Sequence, residues 1–417
     1  MYSATAASWI VCQLGAREHY SIPLTLLRYN KLHSLATDAW VHPESVIGIF
    51  HRRLRERYQA DLAHASVKSW TRSLLAFEAA SLLRRRSGWS LTIARNKWFQ
   101  TRVARYLAAI PQSTIREFKP VVFSYSYTAL APFRIAKKRG WRTILGQIDP
   151  GRQHERIIAD LYERHPQYAD SRQFPPADYW KAWREECSLA DVIVVNSEWS
   201  KEALLAEGIP AEQIEVVPLA YQPPSESRAV GRDYPNAISR QRPLRVLFLG
   251  NVNVCKGIED LARAAELLKD APVMFDVVGS HSLVPEMMAE NVRFHGAVSR
   301  TEVSTWYRRA DLFVLPTHSD GFGLTQLEAM AYGLPVIATT RCGQVVQPGL
   351  TGWLVEPGCP QQLAAVIRDV ISHPTALAEM SAAATRRARE FSIERLSDHL
   401  CQLELSSGKS SGLVANH

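Results

Sequence analysis

No run of about twenty apolar residues occurs in the 417-residue chain, which excludes an ordinary membrane-spanning helix. The opening segment, MYSATAASWIVCQLGAREHY, lacks the basic start of a signal peptide. Its one short apolar run ends at Gly15 and reads as a first β-strand. Cysteine is sparse. The six residues (Cys12, Cys187, Cys255, Cys342, Cys359, Cys401) are scattered, with no CxxC pair and no zinc-like spacing to a histidine. A reduced, cytoplasmic setting is therefore expected, without a disulfide framework. G-x-x-x-x-G-K-[ST] is absent, which excludes a Walker A loop, and the absence of G-x-G-x-x-G argues against a dinucleotide cofactor. No internal repeat of solenoid period is present.

What is present is ordinary soluble composition, 46% hydrophobic and 22% charged, in a length that calls for two cores. The net charge of +8 is unevenly placed. Thirteen Arg or Lys residues lie between His51 and Ile110, beginning Arg52, Arg53, Arg55, Arg57, against only Glu56, Asp61 and Glu78. That excess implies an anionic partner such as a membrane surface, or else a set of solvated helix faces.

Short apolar runs alternate with helical periods. Strands are expected at 9–14, 121–126, 143–148, 191–196 and 214–218. In the second half they are expected at 245–250, 274–279, 292–296, 312–316, 335–339 and 352–355. Runs such as VLFLG and LFVLP are apolar throughout, as in strands covered on both faces. Helices are expected at 201–207, 258–269, 324–332 and 361–372. The alternation argues for parallel α/β sheets. Residues 44–118 are Arg-rich and aromatic, show no convincing strand, and read as a helical insert. Residues 223–243 read as a Pro/Ser/Arg-rich linker, and 406–417 as a disordered tail.

The chemistry concentrates in SDGFGLTQLEAMAYGLPVIAT, residues 319–339. Gly321 and Gly323 stand at a strand-to-helix junction, where the backbone can approach a ligand closely. The helix starting near Leu324 offers unpaired N–H groups and a partial positive charge to an anion. Asp320 on the loop and Glu328 within the helix can accept bonds from sugar hydroxyls while the N–H groups hold phosphate. In FLGNVNVCKGIEDL, residues 248–261, Lys256 precedes Gly257 and a helix, and its ammonium can reach a phosphate.

Asp320 and Glu328, with GFG between them and EAMAYGLPVIAT following, resemble the E-x7-E segment of retaining GT-B glycosyltransferases of family 4, also called group 1. The resemblance spans residues 244–363 and extends more weakly into 190–219. It implies two Rossmann-like domains with parallel sheets facing across a cleft. Residues 1–222 would form an acceptor domain carrying the basic insert, and 244–390 a nucleotide-sugar donor domain. A helix over 391–405 would return to the first domain. It also implies roles. Glu328 would bind the donor ribose. Asp320 would face the transferred sugar. Phe322, Gly323, Leu324 and Thr325 would contact sugar and diphosphate beside Gly321. Lys256 would neutralise the departing diphosphate, and Gly15 would let the first domain approach the pyrophosphate.

Three positions depart from that family's pattern. Asp320 replaces the usual glutamate. Asn251 stands where many members carry a second phosphate-binding arginine. Asp149, followed by Pro150 and Gly151, stands about where many members place a histidine, and either takes a catalytic role or merely starts a turn. His154 reads more readily as a surface residue. His318 and His281 follow strand ends, Arg341–Gly343 follows another, and Trp9 and Trp353 read as core. No D-x-D occurs, so a metal-bridged diphosphate is not suggested, and no cofactor is expected beyond the NDP-sugar as co-substrate.

The implied activity is retaining sugar transfer from an NDP-sugar, UDP or GDP, to a glycan or lipid-linked acceptor. The setting would be cytoplasmic, peripheral at a membrane, with no nucleic-acid partner. A GT-B epimerase or phosphorylase is the nearby alternative. A catalytically silent protein binding a polyanion or membrane through the insert is the alternative from another class.

Overall fold

The structure is a computed structural model that describes residues 7–111, 119–171, 174–223, 232–280 and 289–405. The expected tail at 406–417, His281, and residues 224–231 of the linker lie outside them.

The first half forms a seven-stranded sheet: β1 Ala7–Gln13, β2 Leu32–Thr37, β3 Val67–Ser69, β4 Lys119–Tyr125, β5 Arg142–Gln147, β6 Val192–Val195 and β7 Ile214–Val216. Its order is β3-β2-β1-β4-β5-β6-β7, with every pairing parallel. The second half forms β8 Leu244–Leu249, β9 Val273–Val278, β10 Val292–Gly296, β11 Leu312–Leu315, β12 Val336–Thr339 and β13 Gly352–Val355. These run parallel in the order β10-β9-β8-β11-β12-β13. The central strands β6, β11 and β12 are buried at every position, which is why they are apolar at successive positions rather than at alternate ones. In β8, Leu244, Val246 and Phe248 enter one core and Leu247 the opposite one. The architecture is α/β, two Rossmann-like parallel sheets in the GT-B arrangement.

Two strands escape the sequence reading. β2, LHSLAT, mixes polar and apolar residues, although Ser34 and Thr37 are fully buried. β3, VKS, lies inside the region expected to lack strands; it is a three-residue edge strand, only half-buried, with too few residues to show a period. The insert's long helix, Gly88–Ala109, buries Phe99, Val103 and Leu107 at four-residue spacing. They meet Ile10 and Val122 of the first sheet, so this helix supplies one wall of the core.

The chain returns at its end to the first domain. In the helix Ile393–Leu405, Ile393, Leu396, Leu400 and Leu403 join a core cluster that holds Trp9 and Val11. Glu404 accepts from Trp9 Nε1 at 2.6 Å and pairs with Lys31 Nζ at 2.6 Å. The two domains also touch directly: Ile157, Ile158 and Leu161 of helix Arg152–Arg164 pack on Val254 and Cys255 of the second. Among the described residues, no helix is long and apolar enough to cross a membrane.

Candidate functional site

The order of the second sheet reverses between β8 and β11, which are adjacent strands. In an open parallel sheet such a reversal opens a crevice beyond the strand ends. The loops leaving these two strands carry Lys256 and Asp320, so topology joins residues that the chain holds far apart. Lys256 closes a short 3-10 turn, Val254–Lys256, capped by Asn253, whose Oδ1 accepts from the Lys256 N–H at 2.9 Å. Gly257 follows at φ +78, and a Cβ there would lie 1.9 Å from the Pro316 carbonyl oxygen, so only glycine lets the two loops meet. The β11 loop is fixed in return: the Cys255 carbonyl accepts from the His318 N–H at 2.8 Å and from Thr317 Oγ1 at 3.1 Å.

Lys256 Nζ forms an ion pair with Asp320 Oδ2. Burial pulls the lysine pKa down, but the charge and hydrogen bond of Asp320 outweigh it, leaving the ammonium above its ordinary value and charged at neutral pH. The Asp320 N–H donates to the Arg341 carbonyl at 2.9 Å. Gly323, at φ +74, begins the helix Leu324–Ala331, and no side chain caps that helix start. Leu324 and Thr325 form its first turn beside the Asp320 loop, a geometry that offers backbone N–H groups to an anion. Gln326 locks the loop beneath, its buried Nε2 donating to the Phe322 carbonyl at 2.6 Å and the Gly343 carbonyl at 3.0 Å. Phe322 itself is buried, so its ring is not open to a ligand. Glu328 is oriented by Tyr307, whose hydroxyl donates to Oε2 at 2.8 Å. The Tyr307 ring is buried and stacked on Tyr332 at 5.3 Å. Asn251 is exposed and accepts from Ser280 Oγ at 3.3 Å.

The first domain closes over this loop. A Cβ on Gly321 would lie 2.5 Å from the Ile148 carbonyl oxygen, and the Gly321 carbonyl accepts from Ser197 Oγ at 2.6 Å. Asp149 is thereby held next to the Asp320 loop. Its Oδ1 accepts from Tyr127 OH at 2.7 Å, Gln147 Nε2 at 3.1 Å and the Gly151 N–H at 2.9 Å. The bond from the Gly151 N–H is the turn-starting contact expected of this aspartate. Burial, and then the Asp149 charge, hold the Tyr127 phenol well above its ordinary pKa, so it stays a donor.

His154 is not the surface residue the sequence suggested. It is half-buried, and its Nδ1 lies 3.0 Å from Ser319 Oγ across the domain boundary, where Trp199 Nε1 also donates at 3.2 Å. Arg341 stacks over the Trp199 ring at 5.3 Å. His318 is buried, its Nε2 2.7 Å from Asp260 Oδ2. Trp9 is fully buried, and Trp353 packs partly buried against the second core.

Gly15 has a neighbour that sequence alone did not give it. Its N–H donates to Asp38 Oδ1 at 3.0 Å, and a Cβ would lie 2.8 Å from Arg57 Nη1. Arg57 pairs with Asp38 at 2.7 Å, so the insert places a guanidinium over the Gly15 loop. Arg57, Asp38, Tyr127, Ser197, Trp199 and Tyr307 are the site-adjacent residues no motif announced. Among the described residues no cluster of three His, Cys, Asp or Glu side chains could hold a metal ion.

Residues 243–373 match the model of the family described as glycosyl transferases group 1. The match covers about a third of the chain and marks this stretch as similar to group 1 glycosyltransferase domains. The matched stretch contains β8 through β13 and every second-domain residue named above. Sequence relatives include the D-inositol 3-phosphate glycosyltransferase of Thermobispora bispora, 31% identical over 231 residues, covering 49% of this chain and 53% of the relative. Another is the same-named protein of Streptomyces avermitilis, 33% identical over 172 residues, or 36% of this chain and 37% of the relative. The chain thus matches about half the length of the first of these and little more than a third of the second.

Among solved structures, Anabaena Alr3699/HepE in complex with UDP superposes with a TM-score of 0.61 at 16% identity, over 96% of this chain and 100% of that one. Sucrose-phosphate synthase from Thermosynechococcus elongatus gives 0.61 at 18%, over 97% and 100%. At these identities the likeness establishes the GT-B fold around the group 1 domain.

Proposed function

We propose that this chain transfers a sugar, with retention at the anomeric carbon, from a nucleoside-diphosphate sugar to a hydroxyl of a glycan or lipid-linked acceptor. The observation that carries this reading is the convergence of the Lys256 ammonium, the Asp320 carboxylate and an uncapped helix start at the switch point of the group 1 domain. The bond between the anomeric carbon and the diphosphate oxygen breaks as the acceptor oxygen bonds to that carbon from the same face. The acceptor proton passes to the departing diphosphate. Lys256 leaves its ion pair with Asp320 to bind that diphosphate, a charge-assisted contact worth about 1.5–3 kcal/mol, and the first-turn N–H groups share the charge. Asp320, released, accepts from the sugar hydroxyls. Glu328, held by Tyr307, accepts from the ribose hydroxyls. Asp149 lines the acceptor side.

Electrostatic stabilisation by this site would supply most of the rate, with closure of the first domain over Gly321 excluding water. The UDP bound in the Anabaena neighbour makes a uridine nucleotide the first donor to try, with guanosine second. No cofactor enters the scheme, and the basic insert fits a membrane-proximal acceptor. The test is release of nucleoside diphosphate from labelled UDP- and GDP-sugars in the presence of a bacterial lipid extract. The reading requires turnover that Lys256→Ala abolishes. Absence of turnover with every donor would favour a catalytically silent GT-B protein instead.

A further inference from the structure

Four of the large hydrophobic residues stand out from all other described ones by exposure: Leu83 at 86%, Leu82 at 79%, Val46 at 72% and Ile49 at 62%. All four lie in the basic insert, and each pair is followed within a few residues by an arginine cluster, Arg52 and Arg53 in one case and Arg84, Arg85 and Arg86 in the other. Isolated exposed leucines need no explanation, but two adjacent ones at a projecting turn next to three arginines do.

The geometry of that turn is specific. Helix Thr71–Leu83 is anchored by Leu74, buried with Ala39, Val41 and Leu54. Leu83 lies about 13 Å further along the helix axis, at 1.5 Å per residue. The chain reverses there, with the Arg86 N–H donating to the Ser81 carbonyl at 3.0 Å, and re-enters helix Gly88–Ala109. Arg85 takes φ +50, a conformation in which glycine is favoured, so an arginine stands where the backbone alone would select against it. Arg84 and Arg85 are exposed, and among the described residues none of the three arginines forms an ion pair. Residues 71–109 carry eight Arg or Lys against the single acid Glu78, which is paired to Arg95.

We propose that this hairpin tip, Leu82 to Arg86, is a docking point for an anionic lipid bilayer. Leu82 and Leu83 enter the headgroup–acyl boundary, and the arginines pair with lipid phosphates. Apolar insertion and basic residues acting together are what give an amphipathic surface element reversible membrane binding. Each arginine near an anionic surface is worth about fivefold in partition. The inference rests on the membrane-proximal reading of the acceptor given above, and it does not require the sugar-transfer chemistry.

The test is flotation of the full chain with vesicles of phosphatidylcholine alone or with 30% phosphatidylglycerol, about the content that gives a strongly anionic surface. The wild type should float with the anionic vesicles at low salt and not with the neutral ones. The Leu82→Ser/Leu83→Ser variant and the Arg84→Ser/Arg85→Ser/Arg86→Ser variant should each bind at least tenfold more weakly. Leu350→Ser, at an exposed leucine elsewhere, should bind as the wild type does. All variants should keep the wild-type thermal unfolding profile. If the wild type binds and the two tip variants bind equally well, the tip is not the docking point, while the membrane-proximal reading stands. If the wild type floats with neither vesicle, that reading falls and the inference with it. Loss in the arginine variant alone would overturn insertion of the leucines.

Discussion

The two halves of this molecule build their sides of the cleft by opposite means. On the group 1 side, backbone meets backbone. A Cβ at Gly257 or Gly279 would lie 1.9 or 1.7 Å from a backbone oxygen, so glycine is required for the loops to touch at all. On the other side, side chains reach across the sequence. Arg57 pairs with Asp38 over Gly15, Tyr127 and Gln147 hold Asp149, and Glu186 accepts from the N–H groups of Tyr127, Ala129 and Leu130. Construction from backbone leaves a dense local pattern of glycines and fixed spacings. Construction from distant side chains leaves almost none.

Breaking the comparison at its chemical centre should give the largest effect. Lys256→Ala removes the ammonium facing the proposed diphosphate, and sugar-transfer kcat/KM should fall about 10²–10³-fold, measured by nucleoside-diphosphate release. Next, the backbone claim can be set against a matched control. Gly257→Ala forces its Cβ onto the Pro316 carbonyl and should cost more than about 2 kcal/mol in urea unfolding. Gly140→Ala, at φ +68 with no atom within 4 Å, meets the same backbone preference without the collision and should cost only about 1 kcal/mol. Equal costs would remove the distinction between the two halves.

The side-chain half is tested by Glu186→Ala. Its carboxyl is buried, which raises its pKa to about 8 against the opposing pull of three backbone N–H bonds. Losing that acceptor leaves three N–H groups unpaired and should cost about 1–3 kcal/mol of stability without changing donor affinity. A smaller effect is expected for Tyr307→Phe. Glu328 loses its orienting donor, and nucleotide Kd should rise about 2–10-fold at unchanged kcat, by titration calorimetry. The smallest concerns pH. The Lys256 pKa is raised above the ordinary 10.5, so its ion-pair contribution is complete below that value and is lost only as pH rises through the higher folded-state pKa. Nucleotide affinity should therefore be insensitive to lysine titration between pH 7 and 9 on the model-peptide scale.

The same contrast explains what could be read from the sequence. Every strand of the second sheet is legible: β11 and β12 are covered on both faces and apolar at successive positions, and the edge strand β10 alternates apolar and polar residues before Gly296. Lys256, Asp320 and Glu328 were legible as a set because two short segments hold them at characteristic spacing. The direct contact of Lys256 with Asp320 is not, since it follows from the adjacency of β8 and β11, a fact of sheet order. In the first domain β2 and β3 were missed: one hides polar residues in a buried position, and the other is too short to display a period. Asp149 was found by its place after β5, but Tyr127, which holds it, comes from the neighbouring strand's loop. His154 was read as a surface residue because nothing local marks a contact made across a domain boundary. Arg57 shows in the sequence only as part of a charge excess; its partner Asp38 stands beyond β2, whose buried polar residues hide the strand.

The central claim, a nucleotide-sugar site built on Lys256 and Glu328, is tested most directly by thermal unfolding of wild type, Lys256→Ala and Glu328→Ala with UDP, GDP and ADP. One nucleotide should raise the wild-type midpoint, and both variants should lose that shift while unfolding normally without ligand. A shift retained in both variants, or none with any nucleotide in the wild type, would contradict the site.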